Sequence, residues 1–91
     1  MTDGLFGVRD RVVLVTGSSR GLGWVFARGL AEAGANTVLN GRDGERLEKA
    51  RAELEGAGCN VAAYAFDVCE EEAVSDAIDR IETDLGPIAV L

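Results

Sequence analysis

The chain has 91 residues, 16 acidic against 9 basic, for a formal net charge of −7, and it is 47% hydrophobic with no histidine and 2 cysteines. A chain of this size is one globular domain or part of one, burying about two-thirds of its unfolded surface. The acid excess argues against nucleic acid as a partner, since phosphate backbones need a basic face. The lack of histidine argues against zinc and removes the commonest general base, so no metal site is expected. Met1 to Asp10 contain no apolar stretch of signal-peptide length, and no run is long enough to span a bilayer. The expectation is therefore a cytoplasmic protein with no membrane partner, whose Cys59 and Cys69 are half-buried, small apolar residues.

Arg11 to Val15 are large or β-branched with no polar alternation, the pattern of a strand buried on both faces of a parallel sheet. Thr16-Gly17-Ser18-Ser19-Arg20-Gly21-Leu22-Gly23 follows and opens a helical segment. The glycines divide the work: Gly17 for a sharp turn off the strand, Gly21 for close approach of backbone to a ligand, Gly23 for packing of helix on sheet. Such a turn suits a phosphate, because the first N–H groups of a helix have no partner of their own and carry the positive end of its dipole. The spacing is G-x-x-x-G-x-G, and no lysine follows the glycines as a P-loop requires.

Leu22, Phe26, Gly29, Leu30 and Ala33 recur at helical spacing, predicting a first helix over about 22–33 with this stripe inward and Gly34 as its stop. Thr37 to Leu39 read as a short second strand leading into a turn at Asn40-Gly41-Arg42-Asp43. Asp43 is placed to cap a second helix with Leu47, Ala50 and Leu54 inside and Arg46, Glu48, Arg51 and Glu55 largely outside; Gly56 and Gly58 mark its end. Val61 to Phe66 predict a third strand, and about 70–85 a third helix with Val74, Ile78, Ile81 and Leu85 as its stripe, stopped at Gly86-Pro87. Ile88 to Leu91 begin a fourth strand.

Strand and helix alternate with short connections, which predicts an α/β architecture: a partial Rossmann, doubly wound fold, its parallel sheet flanked by helices and truncated in the fourth strand. Residues 1–91 then form the N-terminal half of a dinucleotide-binding domain.

The end of the second strand decides which dinucleotide such a domain takes: a carboxylate there bonds the ribose 2′-hydroxyl of NAD, whereas arginine suits the 2′-phosphate of NADP. Gly41 stands about where the carboxylate belongs, Arg42 follows, and Arg20 projects from the phosphate turn, so the expectation is NADP rather than NAD. The plainer reading of Arg42 is a solvated pair with Asp43. Asp67 and Val68, after the third strand, would face the same crevice, with Asp67 on the adenine amino group and Val68 on its ring, although Asp67 is equally placed to cap the third helix.

These residues together resemble the short-chain dehydrogenases/reductases. Thr16-Gly17-x-x-x-Gly21-Leu22-Gly23 is similar to that family's T-G-x-x-x-G-x-G turn, and Asp67-Val68 falls where its members carry an adenine-site aspartate. The strings V-T-G-S-S-R-G-L-G, L-N-G-R-D and Gly86-Pro87-Ile88 are most similar to its sugar-acid reductases. The resemblance implies hydride transfer between NAD(P)H and a carbonyl or secondary alcohol, with the cofactor held by Thr16, Gly17, Ser19, Arg20, Gly21, Leu22, Gly23, Arg42, Asp67 and Val68. It also implies a tyrosine general acid/base aided by lysine and serine, and subunit contacts through later helices in a full-length form. No catalytic residue is assigned here, because the sole tyrosine, Tyr64, has no lysine four positions on and Lys49 is the only lysine. Two classes of function remain open: the cofactor-binding portion of an oxidoreductase, inactive alone, or a non-catalytic nucleotide-binding or interaction module.

Overall fold

The computed structural model describes residues 11–18 and 21–90 of the chain. Among the described residues four strands and three helices alternate: β1 (Val12–Val15), α1 (Gly21–Glu32), β2 (Asn36–Gly41), α2 (Gly44–Gly56), β3 (Val61–Ala65), α3 (Glu71–Leu85) and β4 (Ile88–Val90). All strand pairs are parallel, in the spatial order β3-β2-β1-β4. This is the expected Rossmann-type sheet, and its innermost strands explain the unbroken apolar runs. Successive side chains point to opposite faces and both faces are covered. Val13, Val15 and Leu39 pack with Ala27 and Ala31 of α1 and with Leu47, Ala50 and Leu54 of α2. Val12, Leu14 and Val38 pack on the other face with Ile81 of α3 and its partly buried neighbour Ile78.

Local signals account for the helix boundaries. Asp43 caps α2, its carboxylate accepting from the N–H groups of Glu45 and Arg46. Gly34 follows α1 and Gly86 follows α3, both at positive φ, where a side chain would be strained. Among the described residues no helix is long and apolar enough to cross a membrane.

Three expectations are corrected. The expected stripe of α1 is not its buried face: Leu22 and Phe26 are 70% and 56% exposed, and the helix instead buries Ala27 and Ala31, with Trp24 and Leu30 partly covered. The reason is distance. A Cβ on Gly23 would overlap the carbonyl oxygen of Gly17, so α1 begins in backbone contact with the turn, and its contact line is the small-residue series Gly23, Ala27, Ala31. Bulkier side chains on that line would hold the helix off the sheet. The second correction is that Asn40 and Gly41 belong to β2 and not to a turn, since they pair with Tyr64 and Ala65. Last, Cys59 is partly buried as expected but Cys69 is exposed.

Candidate functional site

The carboxyl ends of β1, β2 and β3 open into a crevice of about 570 Å³ lined by Gly17, Asn40, Arg42, Arg46, Asp67 and Val68, among others. In open α/β sheets this is where ligands bind. The walls come from three places: the glycine turn after β1, the start of α2, and the loop leaving β3.

The glycine turn takes its shape from its own sequence and from β2. Gly17 and Gly21 sit at φ +59° and +64°, conformations that other residues reach only with strain. The next residue, Ser18, is fully buried and locked to Asn40. The Ser18 N–H donates to the Asn40 carbonyl at 2.7 Å, and the Asn40 N–H donates to Ser18 Oγ at 2.8 Å. The first turn of α1 carries no acidic residue, whereas those of α2 and α3 carry Glu45 and Glu71-Glu72. Among the described residues no carboxylate at the start of α1 therefore competes with an anion for the helix dipole.

On the opposite wall the Arg42 guanidinium lies 3.6 Å from the Asp67 carboxylate, with side-chain exposures of 78% and 29%. Arg42 thus pairs across the crevice and not with Asp43, whose carboxylate is taken by the α2 cap. Asp67 does not cap α3, which starts at Glu71 after Glu70. Its Oδ1 accepts the Cys69 N–H at 2.8 Å, a tight turn that leaves Oδ2 toward Arg42. The Cys69 N–H, and beyond it the Arg42 charge, hold the Asp67 carboxyl below its usual range. Val68 is exposed beside it.

Of the residues expected at the site, Gly17, Arg42, Asp67 and Val68 line one crevice. Thr16, Gly21 and Gly23 build the turn beside it, and Leu22 points largely to solvent. Ser19 and Arg20 lie outside the described residues. Arg46 and Asn40 are among the lining residues that sequence alone does not assign to the site. Arg46, expected on the outer face of α2, shares the crevice with Arg42 because it sits in the first turn of that helix, three residues after the Asp43 cap. Asn40, expected in a turn, lies at the end of β2 instead, and the polar residue closing the β-branched and apolar run Thr37-Val38-Leu39 is the available signal.

A parallel β3-β2-β1-β4 sheet, a glycine turn after its first strand and a crevice beside that turn at the carboxyl ends of the strands define a Rossmann-type fold, and the chain belongs to the short chain dehydrogenase family, whose pattern matches residues 11–91. Within the family it is 45% identical over 87 residues to gluconate 5-dehydrogenase of Gluconobacter oxydans, covering 96% of this chain and 34% of that protein. A solved gluconate 5-dehydrogenase from Burkholderia cenocepacia, in complex with NADP and tartrate, superposes with a TM-score of 0.83 at 39% identity, over 96% of this chain and 35% of that one. A metagenomic short-chain oxidoreductase in complex with NADP gives a TM-score of 0.86 at 31% identity, over 91% of this chain and 38% of that one. The chain spans about a third of the length of the curated relatives it matches.

Proposed function

We propose that this chain binds NADP in the crevice at the carboxyl ends of β1, β2 and β3, and that residues 1–91 are the N-terminal, cofactor-binding half of a Rossmann domain. The observation that carries the reading is the end of β2. Gly41 offers no carboxylate to a ribose 2′-hydroxyl, and Arg42 follows it on the crevice wall with Arg46 nearby. A planar guanidinium suits a 2′-phosphate, to which it can give paired charge-assisted hydrogen bonds. The residues present fit the rest of the cofactor too. The turn from Thr16 to Gly23, with Ser19 and Arg20 inside it, and the acid-free start of α1 would take the pyrophosphate; Asp67 would take the adenine amino group and Val68 its ring. NADP would supply the hydride carrier. The NADP complexes of two relatives support this assignment.

The activity of the whole protein is, on this reading, hydride transfer between NADP(H) and a carbonyl or secondary alcohol, with sugar acids the substrate class that the gluconate 5-dehydrogenases suggest. The 91 residues do not perform it alone. Tyr64, the only tyrosine, donates to Asp84 at 3.0 Å on the β3–α3 side, and burial together with that bond pushes its phenol up, away from general-base use.

The test is Arg42→Asp, with NADPH and NADH affinities measured by cofactor fluorescence. NADPH binding is expected to weaken about tenfold or more while NADH binding holds or improves. An unchanged preference for NADPH overturns the assignment.

A further inference from the structure

Asn40 stands where the glycine turn, the end of β2 and the loop leaving β3 meet. Its side chain is almost wholly buried, at 1% exposure, and both of its ends are engaged. Oδ1 accepts the Gly17 N–H at 2.9 Å; Nδ2 donates to the Phe66 carbonyl at 3.0 Å and reaches the Tyr64 carbonyl at 3.4 Å. Only a side chain with an acceptor at one end and a donor at the other satisfies both neighbours at this length. Aspartate lacks the donor, and leucine lacks both.

The two segments so bridged carry different parts of the crevice. Gly17 begins the phosphate turn, and Phe66 leads directly into Asp67 and Val68. In the sheet order β3-β2-β1-β4, β1 and β3 are not neighbours, so no strand pairing links the turn to that loop. The backbone of β2 holds each side: Ser18 is bonded to Asn40, and the Phe66 N–H donates to the Gly41 carbonyl at 3.2 Å. The Asn40 side chain is the direct bridge, from an amide of the turn to a carbonyl of the loop.

We propose that Asn40 is a positioning residue that holds the phosphate turn and the Phe66–Asp67 loop in register, so that a dinucleotide engages both at once. This deepens the NADP reading and rests on it. A ligand seated only at the adenosine end does not need the register, whereas one that spans both seats does. Pre-set geometry of this kind strengthens binding by removing an ordering cost, so its loss falls on the spanning ligand.

The experiment compares wild type, Asn40→Asp and Asn40→Leu for binding of NADPH, which spans both seats, and of adenosine 2′-monophosphate, which has no 5′-phosphate for the turn and occupies only the adenosine seat; thermal melting of each protein reports the folded fraction. In both folded variants NADPH affinity is expected to fall about tenfold or more, and monophosphate affinity to stay within about threefold. Equal losses on the two ligands, or none, overturn the proposal, because a merely loosened fold does not distinguish them. A loss confined to Asn40→Asp also overturns it, since that is repulsion by the added charge. Should the variants not fold, ¹⁵N resonances of the wild type decide. On titration with NADPH the Asn40 side-chain amide and the Gly17 amide are expected to shift together with one saturation curve; resonances that stay in place overturn the proposal. Wild type that binds neither ligand overturns the dinucleotide reading, and this inference with it; wild type that binds, with variants unimpaired, overturns this inference alone.

Discussion

Asn40 and Arg42 stand two positions apart at the end of β2 and live under opposite physics. Asn40 is buried, and its amide has partners on both sides; Arg42 is 78% exposed and holds one ion pair at 3.6 Å. Burying a polar group is costly unless every bond is made, so the hydrogen bonds of Asn40 are obligatory and fix distances between segments. An exposed ion pair is worth about 0–1 kcal/mol and is screened by salt, so the bond between Arg42 and Asp67 constrains little. The difference separates two jobs within one crevice. The buried residues set its shape, and the exposed charges, lightly held, remain available to a ligand.

Substitutions can break that division from the shaping side. Gly23→Val places a side chain into the Gly17 carbonyl, where backbone has to move, and it is expected to destabilise the fold by about 3 kcal/mol or more in urea unfolding. A loss below about 0.5 kcal/mol would show that α1 can lift off the turn freely. Ser18→Ala is milder. It removes the hydroxyl that accepts the buried Asn40 N–H and is expected to cost about 1–3 kcal/mol; a neutral result would deny that the network is obligatory.

The smallest effect belongs to the exposed side and is one of pH. The Asp67 carboxyl is depressed below its ordinary value of 3.8 by the Cys69 N–H first, with the Arg42 charge adding to it. A depressed carboxyl contributes stability that is present above its unfolded value and lost as the pH falls through its folded one. Following the Asp67 side-chain carbon by NMR should show a midpoint below 3.8, and Arg42→Ala should raise that midpoint slightly and lower the protein's stability at neutral pH only by the correspondingly small amount. A midpoint at or above the ordinary value would mean that neither contact persists in solution.

Much of the fold was legible because its signals are local. The cap at Asp43 depends on a carboxylate reaching N–H groups two and three residues on, and the stops at Gly34 and Gly86 depend on one backbone conformation each. The inward face of α1 was not legible. The helix is apolar around most of its circumference, GLGWVFARGLAE, so periodicity could not tell the Leu22–Phe26 side from the Gly23–Ala27–Ala31 side. At the crevice, Gly17, Arg42, Asp67 and Val68 could be named from spacing, but Asn40 looked like turn punctuation and Arg46 like a solvated helix charge. Their places depend on strand pairing and on where α2 leaves the sheet.

The residues in order determined the alternation of strand and helix, the glycine turn after β1 and the glycine in place of a carboxylate at the end of β2, since each of these rests on neighbours a few positions apart. Tertiary structure alone decided three further matters: that α1 approaches the sheet through its smallest residues, that Arg42 faces Asp67 and not Asp43, and that one buried amide joins the turn to the loop beyond β3. The last two bring together groups more than 20 positions apart, and contacts of that kind exist only once the sheet has assembled.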